Sequence, residues 1–498
     1  MTLVKNKKSF MLIGVFTGLI FAELDETVVS TAMPSIIRQL HGLAFYGWVP
    51  GIYMLAASMF MPILGKLADI YGRKRVYLYC MGLFILGSLI SGMAPSIGVL
   101  LAGRGIQGIG AGGLMPIALA MIGDAYPLEQ RARIQSLIGP LLILPQLLGP
   151  TVGGYFVEHI SWHWVFLINI PVGVLAAMLL SFGVRESRSD ESRKIDWAGA
   201  ATLVLALLSL LLTPILVDNQ GFTWSSPVIL GLLVLSGLLI AWFVRIESKA
   251  EEPIIPLHLF RNRNLVVMSL LVFILMLGAM GSTSAFPLFA QNVMGLTPTE
   301  AGYLMLAFMA GVVPSSLLNG FLITKLPYRY LFIICFTLPI ISFFLLSKIG
   351  ITTTVVYVIL TFFVLGIGFG ALFGADNLIV QESVEKEHSG IALGTVQLFQ
   401  SLGTTIGLSV FGSLLARQIE GGVTALTDQF SSDTLGQIAS GGIPQGLNPE
   451  LLNQVQTVFV SAFQHIFAIS LWFIVAAFFV CWFLKKEVLA KKESESAA

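Results

Sequence analysis

The sequence predicts an all-α polytopic membrane protein, because it combines a high apolar content with a low charge content. Of its 498 residues, 56% are hydrophobic and 11% are charged, whereas a soluble chain carries about 25% charge. So few polar residues do not cover a water-facing surface, and the mean hydropathy of +0.87 is the opposite of a disordered composition. The net charge of +1 lacks the basic excess of a nucleic-acid-binding protein. Soluble, disordered and nucleic-acid-binding proteins are therefore excluded.

Apolar runs recur along the whole chain, each long enough to cross roughly 30 Å of hydrocarbon as a helix of about 20 residues. Continuous runs of this length argue against a transmembrane β-barrel, which needs short alternating segments. We predict fourteen spans. They cover residues 10–34, 46–66, 76–94, 97–117, 134–154, 163–184, 195–216, 227–246, 265–289, 299–323, 330–348, 354–380, 389–415 and 457–484.

Lys and Arg residues test this count, since they collect in cytoplasmic loops. With the N-terminus inside, nearly all of the 28 Lys and Arg residues fall on the cytoplasmic side. The outside segments hold Arg38, Lys348 and Arg417, and Arg104 lies within a span. We therefore expect an even number of spans with both termini in the cytoplasm.

Two glycine landmarks recur at nearly equal spacing and indicate a duplicated chain. Gly65-x-x-x-Asp69 after the second span is echoed by Gly320-x-x-x-Thr324 after the tenth, and Gly149-x-x-x-Gly153 is echoed by Gly403-x-x-x-Gly407. The chain has 50 glycines, so chance pairing is the alternative. Weak internal repeats of this kind are typical of secondary transporters.

The duplication predicts two six-helix bundles separated by an inserted helix pair. The N-terminal bundle covers 1–184, and the inserted pair with its cytoplasmic loops covers 185–264. The C-terminal bundle covers 265–484, including an extracellular loop at 416–456, and 485–498 form a cytoplasmic tail. The sequence predicts no function for the inserted pair or the loop.

The first span carries three acids within four residues: Glu23, Asp25 and Glu26. An ionisable group at mid-bilayer costs about 2.5–3.5 kcal/mol on insertion scales, so each acid is a functional candidate. Glu23 and Glu26 share one helix face, while Asp25 points to another. Because three close like charges do not all stay ionised cheaply, at least one is expected to hold a proton near neutral pH. The alternative is a structural ion pair or a side chain extended toward the outer surface.

Arg104 in the fourth span is the basic residue at a depth comparable to Asp25, at 1.5 Å per helical residue. The two side chains meet if the first and fourth helices are neighbours. Arg104 then either takes part in proton transfer or clamps backbone carbonyls. Asp376, near the inner end of the twelfth span, either lines a cavity or is wetted from the cytoplasm. Phe286 and Phe289 either contribute aromatic contacts to a cavity or simply face lipid or pack against other helices.

Catalytic and metal sites are not expected. The three cysteines fall in predicted spans, and no C-x-x-C or H-E-x-x-H spacing occurs among the cysteines and six histidines. We therefore expect no disulfide framework, metal or cofactor. The histidines lie near span ends or loops, and no buried Ser/His/Asp set emerges, which argues against an enzyme.

Several motifs match a known pattern. The segment Gly65-Lys66-Leu67-Ala68-Asp69-Ile70-Tyr71-Gly72-Arg73-Lys74-Arg75 resembles the loop signature of the major facilitator superfamily, with Ile70 where a basic residue is usual. Leu24-Asp25-Glu26-Thr27-Val28-Val29 and Trp162-His163-Trp164-x-Phe166-x-x-Asn169-x-Pro171 resemble signatures of its fourteen-spanner drug:proton antiporters of the QacA/EmrB type. The resemblance covers nearly the whole chain and implies the major facilitator fold.

Two further motifs carry the same resemblance. Leu100-x-x-x-Arg104-x-x-Gln107-Gly108-x-Gly110 is similar to the fourth-span motif of the family. In that family the arginine of the motif is implicated in proton transfer. Gly149-Pro150-Thr151-Val152-Gly153-Gly154 resembles the antiporter motif, although Pro145 replaces the usual leading glycine. Close packing and a bend are the structural alternative for these glycines and prolines.

The resemblance also implies roles for individual residues. Asp69 and Arg73, within the motif that contains Gly65 and Gly72, hold a cytoplasmic gate in the family, and Asp25 carries the coupling proton or contacts cationic drugs. Physical reasoning adds a position: Asp69 is expected at the N-terminus of the thirteenth helix, near Ser389, where an anion meets the positive end of the dipole.

We therefore predict a proton-coupled antiporter that exports lipophilic, cationic compounds by alternating access across a bacterial cell membrane. Its expected partners are a small lipophilic substrate, protons and membrane lipid; it is expected to be a monomer that binds no nucleic acid. The alternative is a dedicated exporter of one metabolite, lipid or antibiotic, because the fold does not separate the two functions.

Overall fold

The computed structural model describes residues 2–40, 45, 48–183, 196–370, 372, 375–424 and 449–488, and this part of the chain is helical, with no β-strand. The helices are α1 Thr2–Leu40, α2 Trp48–Tyr71, α3 Arg73–Gly92, α4 Ile97–Ala125, α5 Leu128–Ser136, α6 Ile138–His159, α7 His163–Leu167, α8 Asn169–Gly183, α9 Trp197–Gln220, α10 Pro227–Glu247, α11 Arg263–Thr283, α12 Phe286–Asn292, α13 Pro298–Leu322, α14 Tyr328–Leu346, α15 Val355–Phe369, α16 Ala375–Ser383, α17 Ser389–Thr424 and α18 Pro449–Cys481. Two 3₁₀ turns cover Leu257–Arg261 and Lys386–His388.

Within the described residues, eleven helices are long and apolar enough to cross a membrane, which makes the chain a multi-pass membrane protein. The shorter α15 is also apolar. Two further helices, α1 and α6, occupy predicted spans. The count of fourteen spans and the cytoplasmic position of both termini stay predictions.

Some predicted spans differ from the observed helices. The span predicted at 354–380 is two helices, α15 and α16, and the span at 134–154 includes the end of α5 and most of α6. The predicted outside segment 416–456 is helical at both ends, because α17 runs to Thr424 and α18 starts at Pro449, a residue favoured in the first turn of a helix. Its middle, 425–448, lies outside the described residues, as does most of the predicted tail.

The chain divides into two compact units. Unit 1 comprises Met1–Ser269 and Gly374–Phe399, and unit 2 comprises Leu270–Phe373 and Gln400–Ala498. In unit 1, α1 packs against α6 and α8, α2 and α3 pack on α4, and the inserted helices α9 and α10 pair with each other. In unit 2, α13 and α14 pack on α15, and α14 packs on α18. The domain limits predicted from the duplication are a separate division and stay a prediction.

Glycines let α4 approach its neighbours. A Cβ on Gly108 would lie 2.4 Å from the carbonyl oxygen of Tyr53 in α2, and one on Gly110 would lie 2.4 Å from that of Cys80 in α3. Neither distance leaves room for a methyl group, so α4 contacts α2 and α3 backbone to backbone. Close packing, the structural alternative given for the glycines of the fourth-span motif, is therefore present.

The repeated glycine pairs make equivalent contacts. In unit 1, Gly149-x-x-x-Gly153 places α6 against α1, where a Cβ on Gly149 would lie 2.1 Å from Thr27 Oγ1. In unit 2, Gly403-x-x-x-Gly407 places α17 against α11, where a Cβ on Gly403 would lie 2.4 Å from the Phe273 carbonyl oxygen. Each pair therefore packs its helix on the first helix of its predicted half.

Candidate functional site

Asp25 of α1 and Arg104 of α4 form an ion pair inside unit 1. Arg104 Nη1 donates to Asp25 Oδ2. Asp25 is 1% exposed and Arg104 is 0% exposed, so water does not screen their charges. The contact predicted from their equal depth is present, and each charge compensates the other.

Three uncharged polar side chains complete a cage around Asp25. Gln107 Nε2 of α4 and Asn169 Nδ2 of α8 both donate to Asp25 Oδ1, at 2.8 Å and 2.6 Å. Ser88 Oγ of α3 accepts from the same two amides, at 2.8 Å and 3.3 Å. All three side chains are buried. Arg104, Gln107 and Asn169 all donate hydrogen bonds to Asp25, so side chains satisfy both oxygens of this buried carboxylate.

Gln107 and Asn169 were not predicted as partners of Asp25, and Ser88 was not predicted to hold their amides. Gln107 and Asn169 stand in the quoted motifs, but only the arginine was given a role. The missing signal is hydrogen-bonding capacity: a buried carboxylate has about four acceptor sites, more than a single arginine fills. Amides and hydroxyls within spans at the depth of a buried acid are therefore candidates for its partners.

Arg104 has further contacts besides Asp25. Its guanidinium lies 4.1 Å from the centre of the Tyr53 ring, and its Nε donates to the Val49 carbonyl oxygen at 3.4 Å. Its Nη2 has no hydrogen-bond partner within the described residues. The clamp on a backbone carbonyl is thus among the contacts of Arg104, whereas its role in proton transfer stays a prediction.

The three acids of α1 have different environments. Asp25 is buried in the cage, Glu26 is half-buried and Glu23 is exposed. This order follows the predicted helix faces, which separate Asp25 from Glu23 and Glu26. The side chains of the two glutamates are therefore less enclosed by the protein than that of Asp25.

Asp376 lies in the first turn of α16. It is buried, and its Oδ1 accepts from the backbone N–H of Asn377 at 2.7 Å and from the Asn377 amide at 3.0 Å. Asn377 in turn accepts from Gln397 Nε2 at 3.4 Å. Helix α16 packs against α5 and α4 within unit 1, so Asp376 belongs to a polar cluster separate from the cage around Asp25.

The signature segment, residues 65–75, consists of the end of α2, Gly72 and the start of α3, and it contacts the start of α17. Asp69 Oδ1 and Oδ2 accept from the backbone N–H groups of Gly390 and Ile391, at 3.2 Å and 3.0 Å. A Cβ on Gly65 would lie 2.6 Å from the Gly390 carbonyl oxygen. Asp69 therefore occupies the position predicted for it, at the positive end of the α17 dipole.

Arg73 adds a second connection at the same place. Its Nη2 donates to Ser389 Oγ at 2.6 Å and to the Lys386 carbonyl oxygen at 2.8 Å, and it pairs with Asp124 of α4. Gly72, just before it, has a φ of 95°, which glycine adopts at little cost. This turn sends α3 back from α2 and points Arg73 toward α17.

A third connection joins α5 to α16. Arg131 forms an ion pair with Glu382, and Gln135 Nε2 donates to Gln381 Oε1 at 3.0 Å. Gln381 Nε2 also donates to the Leu119 carbonyl oxygen of α4 at 2.7 Å. We call the contacts of 65–73 with 386–391, together with those of α5 with α16, the latch. It lies at the predicted cytoplasmic end of unit 1.

The antiporter motif supports the part of α1 that carries Asp25. Gly149 and Gly153 contact α1 at Thr27 and Val28, whereas a Cβ on Gly154 would have no neighbour within 4 Å. The side chain of Pro150 lies outside the described residues. Two of the motif's glycines therefore set how closely α6 approaches α1.

Known proteins resemble this chain over nearly its whole length. The sequence model of the Major Facilitator Superfamily matches residues 15–199 and 196–408. The chain is 31% identical over 519 residues to the multidrug transporter protein MdtP of Bacillus subtilis (strain 168), covering 99% of this chain and 95% of that relative. It is 32% identical over 491 residues to multidrug resistance protein 3 of the same organism, covering 96% and 95%.

A solved structure resembles the fold. The human organic anion transporter MFSD10 (TETRAN) matches with a TM-score of 0.61 at 15% identity, covering 94% of this chain and 99% of that one. At this identity the likeness concerns the fold, and the charge of the substrate does not follow from it.

Proposed function

This chain belongs to the Major Facilitator Superfamily, and we propose that it is a proton-coupled antiporter that exports lipophilic, cationic compounds by alternating access. Membership of this family makes the chain a transporter rather than an enzyme. The proposal places it in a bacterial cell membrane as a monomer, with protons and small lipophilic compounds as its transported partners.

The observation that carries the proposal is the caged, buried carboxylate of Asp25. In the ionised form it is satisfied by Arg104, Gln107 and Asn169, which come from α4 and α8. Protonation removes its charge and weakens the pair with Arg104, leaving a buried cation short of its partner. Binding a proton therefore favours a different arrangement of α1, α4 and α8, and this is how proton binding would shift the conformational equilibrium.

The glutamates of α1 supply the proposed contact with a cationic substrate. Arg104 already compensates Asp25, so Glu26 and Glu23 are the acids of α1 that a lipophilic cation reaches. In the proposed cycle, a cation enters while the acids are ionised and leaves when they take protons from outside. The two relatives whose names describe multidrug transport or resistance support a broad substrate range.

Proteoliposomes under an imposed pH gradient test the coupling. We expect wild-type protein to move a fluorescent lipophilic cation against protons, and Asp25→Asn to abolish substrate-driven proton movement. The matched control is Glu158→Gln, which makes the same change at an exposed acid of α6. Unchanged proton movement in Asp25→Asn would overturn the proposal.

A panel of substrates tests the breadth of transport. Export of several unrelated lipophilic cations supports multidrug efflux. Export confined to one compound class, with no dye transport, supports instead a dedicated exporter of a metabolite, lipid or antibiotic.

A further inference from the structure

The segment that follows the inserted helix pair is folded back by a buried acid. We call residues 248–262 the strap. Glu247, the last residue of α10, is 3% exposed and accepts from the backbone N–H groups of Ile254 and Ile255, at 3.1 Å and 3.3 Å. Both isoleucines are buried as well. The strap therefore has a defined shape on unit 1 and is not a loose linker.

The first contact, or tie, of the strap is an ion pair with Lys66 at the end of α2. Lys66 Nζ lies 3.2 Å from Glu252 Oε2, and the Lys66 side chain is 4% exposed. Lys66 follows Gly65 and precedes Asp69 by one helical turn, so it belongs to the segment that contacts α17. An ammonium group buried to this degree depends on its carboxylate partner, because an unpaired buried charge is costly.

The second tie reaches the other side of the latch. Asn262 Nδ2 donates to the Ser383 carbonyl oxygen at the end of α16. The His258 ring meets the His388 ring edge-on, with centres 5.4 Å apart, in the turn before α17. The strap thus contacts the α2 end and the α16–α17 turn at once.

We propose that the strap holds the latch closed and that Lys66 and Glu252 are positioning residues for its opening. Opening the latch separates residues 65–73, at the end of α2 and the start of α3, from α16 and α17. The strap is tied to both sides, so one tie must break first. The inserted helix pair then has a function: the connection that follows it supplies a gating element. The inference rests on the proposed alternating-access function.

A reporter cysteine measures opening without relying on transport. Leu393 of α17 is 0% exposed and packs with Leu119, Ala120 and Ile138. Leu393→Cys should react with a membrane-impermeant maleimide in inside-out vesicles when the latch opens. The native cysteines Cys80, Cys335 and Cys481 are buried, and the full-length chain without the reporter gives their background.

Glu252→Gln should raise the labelling rate of the reporter by about tenfold or more, because Lys66 loses its charged partner. Glu251→Gln, the same change at the exposed neighbouring residue, should leave the rate unchanged. The charge exchange Lys66→Glu with Glu252→Lys should return the rate toward that of the wild type, which a misfolded variant would not do.

Equal labelling of the Glu252→Gln and Glu251→Gln proteins would overturn the proposal, as would an exchanged pair that labels as fast as Glu252→Gln. Labelling does not depend on proton coupling. A chain that fails to couple protons to export, yet labels as expected, contradicts the proposed function and not the strap.

Discussion

The two units bury different kinds of side chain. Within the described residues, unit 1 buries charged side chains such as Asp25 and Arg104, whereas the buried polar residues of unit 2 are Ser, Thr and Asn. Unit 2 instead buries a phenylalanine cluster, in which Phe286 lies 4.8 Å from Phe362 between ring centres and Phe289 lies 5.4 Å from Phe463. The same glycine-pair packing occurs in both units, so the helix framework does not decide where the charge lies.

The ion pair of unit 1 and the phenylalanine cluster of unit 2 have different energetic effects. A buried ion pair adds little net stability over a well-packed apolar core, because desolvation offsets the attraction. Its presence in unit 1 is better explained by a change of state than by stability. The phenylalanine cluster gains from van der Waals packing in any state. Phe286 and Phe289 are both 0% exposed, which supports the packed interpretation of these residues.

The largest expected effect comes from breaking the ion pair of unit 1. Arg104→Met should abolish transport and lower the free energy of unfolding by about 3–5 kcal/mol, because it leaves the charge of Asp25 buried without its cation. Thermal unfolding of the purified protein and efflux from proteoliposomes measure the two consequences.

The double variant Asp25→Asn with Arg104→Met separates stability from function. Removing both charges should recover most of the lost stability, since no unpaired charge remains, while transport stays absent. Recovered transport in the double variant would contradict the assignment of proton coupling to this pair.

A smaller effect is expected from the cage residue Asn169. Asn169→Leu removes a donor to Asp25 Oδ1, which should cost about 1.5–3 kcal/mol, as for hydrogen bonds to charged groups. Proton and substrate fluxes in proteoliposomes should fall as well, because Asp25 loses one of the side chains that position its carboxylate. Thermal unfolding measures the loss of stability, and the two fluxes measure the loss of coupling.

Unit 2 offers a matched control for this substitution. Asn319 is also a buried amide, but its Nδ2 donates to the Ser315 carbonyl oxygen at 2.8 Å and no acid is among its observed contacts. Asn319→Leu should lower stability without reducing the coupled fluxes per folded molecule. An equal loss of coupled flux in both variants would mean that the cage has no special effect on Asp25.

Part of the candidate site could be predicted from the sequence, and part of it could not. Charges in apolar spans are few, so Asp25 and Arg104 were identified and their meeting followed from helical depth. Asp69 was placed because a helix dipole attracts an anion to a known end. The strap and the pair of Arg131 with Glu382 were missed, because both depend on which cytoplasmic segments meet in three dimensions. Hydropathy does not record that.

Hydropathy also hides single polar residues within a span. Residues 163–184 form one apolar run, and Asn169 lies inside it. One amide hardly changes the mean hydropathy of the run, and hydropathy does not record which helix face carries it. Asn169 was therefore missed as a donor to Asp25, although it stood in a quoted motif.

The smallest effect is expected in unit 2. There, Phe286→Leu tests whether the phenylalanine cluster contributes to packing alone or also to proton coupling. The substitution removes part of a ring that packs against Phe289 and Phe362, and it should cost about 1–2 kcal/mol as a partly filled cavity. Transport per folded molecule, and the ratio of protons to substrate, should not change. A changed ratio, measured by comparing proton and substrate fluxes in the same proteoliposomes, would place part of the coupling in unit 2. A lower melting temperature with an unchanged ratio of protons to substrate would mean that the lost packing affects folding and not the proton site. Coupling would then be assigned to the charged cage of unit 1.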